Sequence, residues 1–318
     1  MAPDPLTDPE REDVVGGDRL GSRLGLSIPN EWWPAQPMLK EIEASGFAWV
    51  QVHSPPASVL ADPRSCIRHG QGLARSIGAT RLRTVLHAPG DLLAGEPGAD
   101  RALAGALAHA AECGAEIVVV HARTLQDGPA AEDRMLAEAR SLATLAGVAE
   151  RLSVTLALEN LAPVFPGPET ISANPLALRS LVRRIGSPAL RLCLDVGHAN
   201  VIAGLRRTSL PRMIEPVLDA AALFHVHDNL GARWHAADRR PELDPLRLDL
   251  HLAPGRGSIE WSEIAASLLS HDAPLLLEIH PPRGAPQELA EATRTALLTP
   301  SGSPRTVEAQ PEPRPTLR

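Results

Sequence analysis

The 318-residue chain contains no tyrosine, a single lysine (Lys40), three cysteines and only 3% aromatic residues. Each scarcity closes off a class of protein. With few flat rings and almost no lysine, the stacking and phosphate contacts that usually hold nucleic acid are sparse. Cys66, Cys113 and Cys193 are widely spaced and odd in number, so the expectation is buried free thiols in a reducing compartment rather than a disulfide framework. No apolar run approaches the roughly 18 residues that cross a bilayer. Residues 1–18 also lack the basic start and apolar stretch of a secretory signal, which points to a cytoplasmic protein without membrane contact.

The composition is otherwise that of a globular protein, with 44% hydrophobic residues to build a core. Net charge is −7, but residues 1–18 carry six acids against one arginine and residues 299–318 three arginines against two glutamates, leaving −3 for the rest. A near-neutral body gives no electrostatic case for nucleic acid. The length suits one large α/β domain.

Seven short apolar runs end on an ionisable residue. They are Phe47 to His53, Leu82 to His87, Ile117 to His121, Val154 to Glu159, Leu190 to Asp195, Leu223 to His227 and Leu275 to Glu278. An eighth, Leu24 to Ile28, precedes them. Runs of this length and composition predict buried strands. Helical segments separate them: about Pro34 to Ala44, Pro63 to Ile77, Ala99 to Cys113, Ala130 to Leu152, Pro175 to Ile185, Leu210 to Ala221, Ser258 to Ser270 and Pro286 to Leu298. Asn174 before Pro175, with Gly186 after the helix, is strong start–stop chemistry. Eight strand–helix units predict a single (β/α)8 TIM barrel over residues 19–298, flanked by disordered tails at 1–18 and 299–318. A long connection, Asn229 to Gly257, lacks periodicity, and loops of that length are usually functional.

In such a barrel the active site lies at the C-terminal ends of the strands. Those ends carry His87, His121, Glu159, Asp195, His225, His227 and Glu278, with His198 three residues after Asp195 and Asp249-Leu250-His251 in the long loop. Taken singly, each has a structural explanation as a cap, a strand end or a hydrogen-bonded histidine. Together they are a metal-binding pattern, because aliphatic-flanked carboxylates in one register are costly to bury unpaired. Imidazole and carboxylate converging on one mouth can hold Zn²⁺, Mn²⁺ or Mg²⁺ according to the nitrogen-to-oxygen balance.

These motifs resemble the xylose isomerase-like TIM-barrel superfamily, which includes sugar and sugar-phosphate isomerases and epimerases and endonuclease IV. The resemblance spans about residues 20–298 and is carried by Leu158-Glu159-Asn160, Cys193-Leu194-Asp195-Val196-Gly197-His198, His225-Val226-His227-Asp228-Asn229 and Asp249-Leu250-His251 before Gly255-Arg256-Gly257. In the isomerase branch it implies one divalent ion on Glu159, Asp195, His225 and Glu278. In the endonuclease IV branch it implies a trinuclear zinc cluster, with His87, His121, His198, Asp249 and His251 completing nine ligands. The chain departs from that branch after His87-Ala88-Pro89, where Gly90-Asp91 replaces an aromatic residue that enters DNA.

The resulting expectation is a divalent-metal-dependent isomerase or epimerase acting on a small keto-sugar, polyol or sugar phosphate by proton transfer through an enediolate. Glu159 and Glu278 would be the acid/base pair, with His198 a further catalytic candidate. The alternative is an endonuclease IV-like zinc-dependent hydrolase of phosphodiesters. Arg206, Arg207, Arg212, Arg233, Arg239 and Arg240 are expected on the catalytic face. Of these Arg233, Arg239 and Arg240, with His227 and Asn229, are the candidate substrate contacts, since guanidinium forks suit anions. His53 and His280 are further pocket candidates. The sequence leaves the oligomeric state open.

Overall fold

Valine, isoleucine and leucine runs become strands where both faces can be buried, and eight do so here. The computed structural model describes residues 20–96, 98–123, 130–163, 170–232, 248–280 and 284–299. The strands are β1 (Leu24–Ser27), β2 (Trp49–His53), β3 (Arg83–His87), β4 (Ile117–His121), β5 (Thr155–Glu159), β6 (Leu190–Asp195), β7 (Ala221–Val226) and β8 (Leu275–Leu277). All neighbours pair in parallel, and β1 pairs with β8, closing the barrel. The described helices are α1 (Gln36–Ala44), α2 (Ala57–Leu60), α3 (Pro63–Ile77), α4 (Ala99–Cys113), α5 (Ala131–Leu152), α6 (Pro175–Ile185), α7 (Val196–Leu205), α8 (Leu210–Ile214), α9 (Trp261–Leu269) and α10 (Pro286–Leu298). None is long and apolar enough to cross a membrane. All three cysteines are free and buried. Residues 1–19 and 300–318, where the sequence suggests tails, lie outside the described residues.

Two apolar layers result. The larger lies between the strands and the helices. The smaller fills the barrel axis with Trp49, Val85, Val119, Ala157, Cys193, Leu223 and Leu276, among others. Gly25 of β1 makes space for it, since a Cβ there would lie 2.8 Å from Trp49 Cβ. Strand side chains alternate between faces. Two residues beyond each of those seven, the same parity delivers Gln51, His87, His121, Glu159, Asp195, His225 and Glu278 to the mouth. The polar cluster is therefore the next layer of the axial core.

The sequence reading differs from the structure in local ways. Helix α7 gives no sequence signal because it is buried almost all round and shows no apolar stripe. The four-residue α2 is too short to carry a periodic signal. The helix expected over Leu210 to Ala221 is split: α8 gives way to a 3-10 segment, Glu215–Ala220, where Pro216 cannot donate to the α-helical ladder. Ala221 already belongs to β7, and β8 stops one residue short of Glu278.

Candidate metal centre

Glu159 is the hub of the mouth. Its Oε1 lies 3.0 Å from His225 Nδ1, and its Oε2 lies 3.2 Å from His87 Nε2 and 3.5 Å from His121 Nε2. Asp195 Oδ2 and Glu278 Oε2 are 3.7 and 3.6 Å from the same His225 Nδ1. Candidate ligand atoms of Glu159, Asp195, His225 and Glu278 all fall within 4.8 Å of one another. The same holds for His87, His121 and Glu159, and for His198, His227, Asp249 and His251.

Asp195 shows why a cation fits. Its Oδ1 accepts the His198 backbone N–H at 2.7 Å and caps α7, whereas Oδ2 is buried with no hydrogen-bond partner. An unpartnered buried carboxylate oxygen is expensive. Four carboxylates converge here, and the described residues lining the cavity include no arginine or lysine to balance them. Nitrogen and oxygen donors of this kind suit a divalent ion.

The histidines are oriented by their far nitrogens. His87 Nδ1 donates to Ala88 O (2.7 Å), His121 Nδ1 to Gly90 O (3.0 Å), His198 Nδ1 to Asn160 O (2.7 Å) and His251 Nδ1 to Glu278 O (2.7 Å). A carbonyl only accepts, so each ring carries its proton on Nδ1 and turns Nε2 towards the carboxylates. His225 is reversed. Its Nε2 faces the Gln51 side-chain carbonyl at 2.8 Å, and Nδ1 faces the cluster.

Electrostatics keep the carboxylates charged. Burial raises the Glu159 and Glu278 carboxyls, but the surrounding imidazoles, His225 foremost, outweigh it. Glu278 comes down to about 2 and Glu159 lies well below the usual carboxylate range. Burial likewise pushes His198 down, yet Asp195 and Asp249 hold it well above its ordinary value. Above the cluster opens a cavity of about 700 Å³, lined by His53, His87, His121, Glu159, His198, Asp249, His251, Glu278 and His280 together with the β1 loop from Ser27 to Glu31. That volume suits a small-molecule ligand. Burial, aided by His87, pushes His53 down to about 4, which leaves it a neutral imidazole at the cavity wall.

Asp249 and His251 reach the mouth because Asp228 pins the long loop. Asp228 pairs with Leu252 through both backbone groups, and its carboxylate accepts from Gly255 N, Ile259 N and Trp261 Nε1. His251 adopts φ 48°, a left-handed conformation rare outside glycine and asparagine, which aims its ring at Asp249 (Nε2 to Oδ2, 2.8 Å).

Two of the expected substrate contacts, His227 and Asn229, do not line the cavity. Asn229 is fully buried and committed to the loop, donating to Gly197 O and accepting from Asn200 Nδ2 and Gly231 N, each at 2.8 Å. His227 is fully buried and does not line the cavity, with Nε2 3.1 Å from Asp195 Oδ1. Its ring stacks on His251 at 4.0 Å and 12°, so one ion cannot lie in the planes of both. Arg206, Arg207 and Arg212 are not buried and do not line the cavity. Arg233, Arg239 and Arg240 lie outside the described residues. The sequence reading missed Gln51, because an uncharged residue two positions before a strand-end histidine carries no signal of its own.

A family model described as the xylose isomerase-like TIM barrel matches residues 39–296. The chain belongs to that family. No curated protein matches it. Among solved structures, this xylose isomerase-like barrel is similar to a D-tagatose 3-epimerase-like protein (TM-score 0.66, 20% identity, covering 87% of this chain and 97% of the other). It is also similar to the TTHB071 protein from Thermus thermophilus soaked with ZnCl2 (TM-score 0.60, 25% identity, 89% and 100% covered). A third similar structure is the IOLI protein with a binding zinc atom (TM-score 0.60, 15% identity, 86% and 98% covered). Within this member of the family, Gly90 has a local cause: a Cβ there would lie 2.6 Å from His121 Cε1, so the imidazole occupies the space a larger residue needs.

Proposed function

We propose that the chain is a divalent-metal-dependent isomerase or epimerase acting on a small keto-sugar or sugar phosphate. One observation carries this reading: Glu159 and Glu278 line the cavity, whereas Asp195 and His225 are fully buried and do not. Two ionised carboxylates thus face the substrate space from β5 and from the end of β8, over a buried aspartate–histidine floor. When bound by Glu159, Asp195, His225 and Glu278, a Mn²⁺, Mg²⁺ or Zn²⁺ ion would polarise a carbonyl and its neighbouring hydroxyl and so acidify the intervening C–H. One glutamate accepts that proton as the substrate passes to an enediolate, and the other returns a proton to carbon. His198, whose Nε2 lies 3.3 Å from Asp249 Oδ2 at the cavity wall, would hold a substrate hydroxyl. Membership of the family and the epimerase-like protein among the similar folds support the assignment. The described lining holds no arginine or lysine, which favours an uncharged sugar unless Arg233, Arg239 or Arg240 supplies an anion contact.

Incubation with free and phosphorylated ketoses in deuterated water tests this. The expected result is metal-dependent incorporation of deuterium at the carbon beside the carbonyl. A second reading rests on Glu159 being shared between the His87–His121 group and the Asp195–His225–Glu278 group, with the His198–His227–Asp249–His251 group as a further set, the pattern of a trinuclear zinc hydrolase. Cleavage of an abasic-site oligonucleotide without ketose turnover, and three equivalents of zinc on elemental analysis, would establish that reading instead.

A further inference from the structure

Six histidines belong to the candidate ligand groups of the mouth, and four have their tautomer set by a backbone carbonyl. His225 is one of the two that do not, and it lies at the centre of the carboxylate group. Its far nitrogen faces a side-chain amide, Gln51, rather than a backbone carbonyl. An amide can present oxygen or nitrogen, so something else must decide which way Gln51 faces. Glu278 does. Gln51 Nε2 donates to Glu278 Oε1 at 2.9 Å and to Ser27 Oγ at 3.3 Å. Turning the amide over would set its oxygen against the Glu278 carboxylate. Gln51 is fully buried, one parity step above Trp49, and pairs in register with Ser27 of β1.

We propose that Gln51 is a positioning residue for the metal centre. Held by Glu278, its amide oxygen keeps the His225 proton on Nε2 and aims the Nδ1 lone pair into the space between Glu159, Asp195 and Glu278. One ligand thereby orients another through a neutral relay. The inference rests on the metal-centre reading above.

The test compares Gln51→Met, which fills the same volume without hydrogen bonds, with Gln51→Glu, which keeps an acceptor for His225 but cannot donate to Glu278. Zinc and manganese affinities are measured by titration calorimetry on the full chain, with metal-free thermal unfolding as the folding control. The expected result is a loss of about 10–100-fold for Gln51→Met, in line with ligand-orienting partners elsewhere, and recovery of most of it in Gln51→Glu. A mere packing role gives the opposite order, with methionine tolerated and glutamate harmful. Long-range ¹H–¹⁵N spectra of the zinc-loaded wild type add a readout that needs no variant: the His225 proton belongs on Nε2. Tight wild-type binding with Gln51→Met unaffected, or a proton found on Nδ1, overturns this proposal alone. Failure of the wild type to bind any divalent ion overturns the metal centre, and this proposal with it.

Discussion

Replacing Glu278 with glutamine separates the parts the cluster plays. The metal-free protein holds Glu159, Asp195, Asp249 and Glu278 together without a lysine or arginine in the described lining. Glu278 Oε2 is 3.6 Å from His225 Nδ1, and its Oε1 takes the Gln51 N–H. Glutamine preserves shape and one hydrogen bond but removes a charge and a ligand oxygen. An ion that binds only the folded state at 100 times its Kd stabilises by about 2.7 kcal/mol. For a domain of this size that corresponds to a rise in Tm of about 5 °C. If glutamine weakens binding about a hundredfold, the stabilisation at the same ion concentration falls to about 0.4 kcal/mol, and the rise all but disappears. The metal-free variant should unfold somewhat below the metal-free wild type, because the imidazoles around Glu278, His225 foremost, favour its charged form, so each ion-dependent rise is read against that protein's own metal-free Tm. Differential scanning calorimetry with and without Mn²⁺ or Zn²⁺ measures both quantities, and the deuterium-exchange assay reports chemistry separately. A wild-type-sized, ion-dependent rise in Glu278→Gln would refute the ligand role, and undiminished exchange would refute the acid/base role.

Three further outcomes follow from particular contacts. Gly197→Ala would drive a Cβ into the His227 ring, and overpacking of that kind should cost about 1–3 kcal/mol in denaturant unfolding. Asp228→Ala strips the partners of Gly255 N, Ile259 N and Trp261 Nε1; it should destabilise by about 2–4 kcal/mol and abolish binding at Asp249 and His251 before that at Glu159. Away from the mouth, His109 of α4 is fully buried against His69 of α3 (ring nitrogens 2.9 Å apart), and burial followed by that neighbour pushes it down to about 4. The unfolded chain therefore takes up this proton first. Its contribution is complete above about pH 6.5 and is lost as pH falls towards 4, each pH unit in that window removing up to about 1.4 kcal/mol. The stability of His109→Gln should fall less steeply between those limits, and equal slopes for the two proteins would refute the argument.

The sequence alone determined the barrel and most of its mouth. Apolar runs of strand length alternate with helices, which calls for a parallel sheet with its faces covered, and eight such units with ionisable residues at the strand ends match a closed barrel. Period-two alternation then carries Val85 to His87, Ala157 to Glu159, Cys193 to Asp195 and Leu276 to Glu278 onto one face, which is why these candidates are legible as a group. Only the tertiary structure decided what each polar residue meets. His227 shares parity with His225, yet it is fully buried, with Nε2 3.1 Å from Asp195 Oδ1 and its ring stacked on His251. Asn229 sits beside it in the same motif but spends its hydrogen bonds on Gly197, Asn200 and Gly231. Gln51 carries no charge to mark it, and its importance exists only because β2 and β8 flank β1, bringing it between Glu278 and His225 across the closed barrel. Period and burial are local properties of a chain. The partner of a buried nitrogen belongs to strands 174 residues apart.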